Sequence, residues 1–316
     1  MSMFNPLFNL ASPGGARGRL STLVFHRVLA EPDRIFPDEI DAPRFDRICG
    51  WLRASFNVLP LEQAVRRLGQ GSLPPRAMAI TFDDGYRDNL QVAMPILQRH
   101  GLCATFFIAT GFLDGGRMWN DTVIEAVRAT SLPLLDLGEL GCHALPDAAA
   151  RRQAIERLID RIKYLPAAQR QAAVDRVAQG AKASLPDELM MSSAHVRQMH
   201  QGGMQIGAHT VSHPILAGLD EATARHEIDT SRQTLQWLID APVPMFAYPN
   251  GRSGEDYTPA SVAIARSLGF DGAVTTAWAA AHRQTDPFEL PRFTPWDLSR
   301  SRFNARLLGN LWRSRP

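Results

Sequence analysis

No apolar run in this 316-residue chain approaches the ~18 residues of a membrane span, which excludes an integral helical membrane protein. Cysteine is scarce. Cys49, Cys103 and Cys142 are odd in number and far apart, so they form neither a disulfide framework nor a cysteine-based zinc site. They read as small core residues of a reducing compartment. An excess of one charge is missing too: Lys+Arg 34 against Asp+Glu 32 leaves +2, too balanced for a nucleic-acid partner. The stretch MSMFNPLFNLASPGGARGRLSTLVFHRV has no basic segment leading into an apolar one, so no classical secretion signal is read. A cytoplasmic place is expected, with the inner face of the membrane as its variant. Phe4, Leu7, Phe8 and Leu10 are available for a membrane or partner surface, or for covering the core. Repeats and low-complexity tracts are absent as well.

What the chain does have is apolar mass, 45% of its residues against 21% charged, enough for a sizeable core and too much for disorder. Strand and helix patterns alternate. STLVFHR, FNVLP, AMAITFDD and CATFFIA read as strands, rich in β-branched and aromatic residues. Between them, Phe45, Ile48, Cys49 and Leu52 recur at helical spacing, LEQAVRRL is a second helix, and 88–100 a third that carries Pro95. From about 117 to 196 the strand signal disappears. Ile155, Leu158, Ile159, Ile162 and Leu165 form one stripe behind an Asp147 cap, so this stretch reads as a helical insertion. Alternation then resumes with MQIGAH, a helix over 221–239, PMFAY, a helix over 259–268, and GAVTT and ELPRFT as closing strands. Strands alternating with helices predict an α/β fold of parallel β-α units.

Two motifs sit where predicted strands end. Thr81-Phe82-Asp83-Asp84-Gly85 places adjacent carboxylates at the start of a β-α loop, the edge where barrel active sites are built. One carboxylate can bind a metal while the other stays free as a base. Alone, the motif reads equally as a turn or a helix cap. His209-Thr-Val-Ser-His213 follows another apolar strand. Two imidazoles four apart in a helical turn share one face and can grip one ion. Asp84, His209 and His213 then form a two-histidine, one-carboxylate set with an open position for water, a zinc-type donor set. A second free carboxylate beside it completes a hydrolytic kit.

In combination, TFDDG, HTVSH and the later Phe246-Ala247-Tyr248-Pro249-Asn250-Gly251 resemble the polysaccharide deacetylases, carbohydrate esterase family 4, also called the NodB-homology domain. The resemblance covers about 21–115 and 200–297. It implies a single domain over 1–316 with a distorted, incomplete (β/α) barrel, interrupted by the insertion. It also implies a metal-dependent hydrolase that removes N- or O-acetyl groups from sugars. Carried over, Asp83 resembles the catalytic base, and Asp84, His209 and His213 the ligands of a divalent metal. Zinc is the default, while cobalt, nickel, iron and manganese also suit such donors. The third family motif usually carries an arginine where this chain has Ala247, and an aromatic residue where it has Asn250. This matches the subgroup that writes the motif F-A-Y-P and resembles poly-N-acetylglucosamine deacetylases. Arg292, in Leu290-Pro291-Arg292-Phe293, is expected to replace the missing arginine, and the Asn250 N–H to donate to the oxyanion. The resemblance makes His26, on the first strand, the general acid, with His282 as the other candidate.

Trp119 and Tyr248 are expected to contact the sugar, and Trp296-Asp297 to border the site; Asp121 reads as a helix cap. The expected partner is an acetylated sugar, a polysaccharide or a lipid-linked saccharide. Two other readings stay open: a deacylase, such as a deformylase, of a lipid-linked or nucleotide sugar, and a silent carbohydrate-binding member of the family. A glycoside hydrolase is disfavoured, because its two acids flank a sugar several ångströms apart and neighbours in sequence rarely do.

Overall fold

The computed structural model describes residues 4–295 and 297–313. The described residues of Met1–Ala30, Ile40–Asp114 and Met191–Pro316 form one compact unit; Glu31–Glu39 and Gly115–Met190 form a second. The strands are β1 (Leu20–Phe25), β2 (Asn57–Val58), β3 (Ala77–Phe82), β4 (Thr105–Ile108), β5 (Leu134–Asp136), β6 (Cys142–Ala144), β7 (Gln205–Ala208), β8 (Met245–Ala247) and β9 (Gly272–Val274). No helix among the described residues is long and apolar enough to cross a membrane.

In the first unit seven strands form one parallel sheet in the order β1-β3-β4-β7-β8-β9, with β2 also paired to β3. Helices follow the strands, as the alternation predicts. The helix Ala42–Ser55 shows why they form: the Asp41 side chain accepts from Arg44 N, Pro43 fits the first turn, and Phe45, Ile48, Cys49 and Leu52 turn inward. The expected closing strand ELPRFT does not form. Instead, Leu290 bridges Val274 of β9 and Phe293 bridges Leu23 of β1, so an irregular segment spans the two edge strands. Pro291, without an N–H, interrupts any ladder there. The helix expected over 88–100 begins with a wide π-type turn, Asn89–Ala93, before the regular Met94–Arg99.

Side-chain alternation along the strands separates two apolar layers. Met78, Ile80, Phe82, Phe106 and Ile108 belong to the layer under the helices, while Ala77, Ala79, Phe107, Met245, Ala247 and Val274 belong to the layer inside the sheet's curve. Phe25, Phe82 and Phe106 lie in register on three neighbouring strands and stack, with ring centroids 5.1 and 4.7 Å apart. Truncating Phe82 to Ala would cost about 3–5 kcal/mol. Inside the curve, Gly207 is required, because a Cβ there would lie 2.4 Å from the Phe107 ring.

The second unit has its own core, in which Val123, Val127, Ile155, Leu158, Ile162, Val174 and Val177 come from the helices Trp119–Ala129, Ala148–Ile162 and Ala167–Ala181. Asp147 caps the second of these by accepting from Ala150 N. The all-helical expectation for this stretch is corrected: β5 and β6 form an antiparallel ribbon with Leu135 buried in the core. The unit also draws in residues 31–39, and 191–196 fall outside it. Asp121 is not a cap but lies within the first turn of its helix, buried. The three cysteines are free; Cys49 is buried as expected, but Cys142 is exposed.

Candidate active site

The alternation that sorts the core also aims the motif residues. On β3 the inward series 77, 79 continues through Thr81 to Asp83. On β7 it continues from Gly207 to His209, and on β1 from Leu20 and Thr22 to His26. All three lie just past the carboxyl ends of parallel strands.

Asp83 is only 3% exposed and Arg292 only 1%. Both Asp83 oxygens accept from Arg292, Oδ1 from Nη1 and Oδ2 from Nη2, each at 2.7 Å. The rest of the guanidinium is occupied too: Nε donates to Thr275 O at 2.8 Å, and Nη1 to Thr81 Oγ1 at 3.3 Å. Burial pushes the Asp83 carboxyl up, but the Arg292 charge and hydrogen bonds, with the His209 and His26 charges, outweigh it and hold it below the usual carboxylate range. Arg292 reaches Asp83 from the segment between β9 and β1.

Asp84 follows in a left-handed conformation, φ 77°, ahead of Gly85 at φ 89°. Its Oδ1 lies 3.4 Å from His209 Nε2 and 3.5 Å from His213 Nε2. Among the described residues this trio forms a group of donor atoms all within 4.8 Å of one another. Burial opposes its charge, yet the His209 hydrogen bond and the surrounding imidazoles hold Asp84 below the usual carboxylate range. His209 Nδ1 lies 2.8 Å from Ala247 O and donates to it, which fixes the ring with Nε2 turned toward Asp84. His209 is pushed down by burial but raised overall by Asp84 and Asp83. His213 is pushed down to about 4 by burial and the His209 charge, so it is neutral at neutral pH.

HTVSH is not the helical turn expected. Thr210 and His213 both adopt left-handed conformations, φ 66° and 52°, and the segment bends so that the two histidine rings meet edge to face, with centroids 4.7 Å apart. Sequence reasoning missed what holds this bend. Glu227, from the helix Glu221–Ile239, accepts from Val211 N and Ser212 N at 2.9 Å and from Ser212 Oγ at 2.7 Å. A glutamate on a polar helix face carries no signal of that role.

The donor set fits a divalent cation. A tetrahedral ion with ligands about 2.0–2.1 Å away has donor–donor edges of about 3.3 Å, close to the Asp84–imidazole separations found. Charge points the same way, since Asp83 and Asp84 are both buried carboxylates while the Arg292 guanidinium is taken up by Asp83.

The other expected residues fall in varied places. His26 is exposed just beyond β1, and its charge acts on Asp83, Asp84 and His213. His282 is at the wrong end: Ala281 beside it pairs with Leu20, the start of β1, one strand length (about 16 Å) from the motif edge. Asn250 is left-handed, φ 57°, and its carbonyl accepts from Thr276 Oγ1 at 2.9 Å, which fixes the turn after β8. Tyr248 corrects an expectation. At 0% exposure its ring stacks on Tyr257 with centroids 4.1 Å apart, inside the core and with no surface open to a ligand. Trp119 is half-buried against the second unit's own core, with Arg170 5.8 Å over its ring. Trp296 lies outside the described residues, and the buried Asp297 accepts from Arg306 Nη1 at 2.7 Å.

Residues 70–135 and 166–273, more than half of the chain, match the family model described as polysaccharide deacetylase. YxkH of Bacillus subtilis (strain 168) is 23% identical over 276 residues, which cover 87% of this chain and 70% of YxkH. The Streptococcus pyogenes deacetylase PplD, solved in complex with acetate, superposes with a TM-score of 0.60 at 19% identity, over 93% of this chain and 99% of that one. IcaB from Ammonifex degensii gives a TM-score of 0.59 at 17% identity, over 93% and 97%. At such identities the two structures are evidence of a shared fold.

Proposed function

The chain belongs to the polysaccharide deacetylase family, and from that premise we propose that it is a metal-dependent hydrolase removing acetyl groups, N-acetyl groups foremost, from a polysaccharide or its sugar precursor. One observation carries the reading: a buried, ionised, arginine-held carboxylate lies directly beside an Asp-His-His donor set.

Asp84, His209 and His213 would hold the metal, with zinc the default. When bound, such an ion supplies positive charge to polarise an acetyl carbonyl and to acidify water. Asp83 accepts the proton of the attacking water. Arg292 keeps that carboxylate ionised and fixes the direction of its free lone pairs. The Asn250 N–H donates to the oxygen that gains charge as the carbonyl becomes tetrahedral. A C–O bond forms, the C–N bond breaks, and His26 gives its proton to the departing amine. Acetate and a free amino sugar leave. The missing third-motif arginine was the one feature favouring a silent binding protein, and the grip of Arg292 on Asp83 removes that support.

The test joins metal analysis to an acetate-release screen over N- and O-acetylated oligosaccharides. Purified protein should carry one divalent ion per chain and release acetate. Asp83→Asn should lower turnover at least ~10³-fold with metal content unchanged. Preserved turnover in that variant would overturn the base assignment.

A further inference from the structure

His26 is the least secured of the residues in that mechanism. It is exposed and lies beyond the last ladder pair of β1, Phe25 with Phe82. An imidazole on a loose strand end samples many positions, and proton delivery needs one. Its backbone, however, is tied down from the other side. Asn89 Nδ2 donates to His26 O at 2.9 Å. Asp88 Oδ2 accepts from Arg27 Nε at 2.8 Å, and Asp88 Oδ1 from Val28 N at 3.2 Å. Asn89 Nδ2 also donates to Asp88 Oδ1 at 3.1 Å, which links the two ties. The Arg27 guanidinium lies 4.7 Å over the Tyr86 ring. Carbonyl 26, guanidinium 27 and amide 28 are thus all held by residues 86–89.

We propose that Asp88 and Asn89 are positioning residues for this reaction: they strap residues 26–28 so that the His26 imidazole is presented to the leaving amine. The inference rests on the deacetylase reading with His26 as the acid. Three further observations support it. Asn89 is fully buried, yet its Oδ1 has no partner; a buried polar atom left unpaired lowers stability and is tolerated where the other half of the side chain has a task. The strap leads into a π-type turn, Asn89–Ala93, a rare geometry found at functional sites. And the stretch Thr81–Asn89 also carries Asp83 and Asp84, so one short piece of chain sets the base, one metal ligand and the seat of the acid together.

The experiment uses zinc-loaded enzyme and two substrates: an N-acetylated amino sugar, whose amine must be protonated to leave, and 4-nitrophenyl acetate, whose phenolate leaves unaided. Asn89→Leu keeps the space filled and removes the donor; Asp88→Ala removes the acceptor; Asp88→Asn retains an acceptor for Val28 N. In Asn89→Leu and Asp88→Ala, kcat on the amide should fall about 10- to 100-fold with KM unchanged, while ester turnover changes by less than about twofold. Asp88→Asn should recover part of the loss. In a His26→Ala background, Asn89→Leu should lower amide turnover no further, because it acts through His26. Parallel losses on both substrates, an undiminished amide rate, or an additive loss in the His26→Ala background would each overturn the strap. Amide turnover by the unaltered enzyme tests the deacetylase reading separately.

Discussion

Arg292 and Asp83 form an ion pair with both partners almost fully buried, and its energy can be measured by a double-mutant cycle. Arg292→Met leaves a buried carboxylate facing apolar surroundings. Asp83→Asn leaves a buried guanidinium without its counter-charge. Breaking such a pair from either side costs about 3–5 kcal/mol, whereas removing both members together is far milder. Each single variant should therefore lose about 3–5 kcal/mol in urea unfolding, followed by tryptophan fluorescence and circular dichroism in parallel. The double variant should lose about as much as one single or less, a coupling of about 3 kcal/mol. Activity supplies a second axis. Arg292 lowers the Asp83 pKa against its burial. Without it the pKa rises, less of the base is ionised at a given pH, and the rising limb of the Arg292→Met rate profile moves to higher pH. Losses that add within about 0.5 kcal/mol, or an Arg292→Met loss below about 1 kcal/mol, the range of an exposed pair, would refute the reasoning.

Three other outcomes follow from the geometry. Zinc at about 100 times its Kd should stabilise the protein by about 2.7 kcal/mol, read as a rise in Tm that His209→Ala abolishes; an equal rise in both proteins would place the ion elsewhere. Glu227→Ala frees the bend carrying both histidines and should weaken zinc binding about 10- to 100-fold by calorimetry, and unchanged affinity would discount the brace. Burial pushes Asp33 up, but the N–H groups of Phe36 and Ile35 and the charge of Arg128 hold it below the usual carboxylate range. Its contribution is therefore present above the unfolded pKa and lost as pH falls through the folded one; Asp33→Asn should flatten the fall of Tm below about pH 4, and an unaltered slope would count against that role.

The parts of this fold legible in the sequence were those governed by short periods and strand ends. β-α alternation needs only the repeated switch from period two to period 3.6, and the two motifs announced themselves by following apolar strands. Arg292 was reachable because a buried base carboxylate demands a cation and the usual donor position holds Ala247. What stayed hidden depends on tertiary context. Strands of three residues such as β5 and β6 are too short to display a period. The bend at HTVSH arises from left-handed Thr210 and His213, which no spacing rule reveals, and its brace comes from a helix whose sequence looks solvent-facing. Tyr248 carries a motif aromatic whose ring stacks on Tyr257, a partner nine positions on that periodicity does not connect to it.

Asp83, the proposed base, and the guanidinium that holds it ionised are 209 residues apart in the chain. During synthesis the carboxylate is made first and the guanidinium 209 residues later. A ribosome-bound chain can thus assemble most of the sheet while Asp83 still lacks its counter-charge. The proposed hydrolytic site is complete only after residue 292 has been translated and seated between β1 and β9.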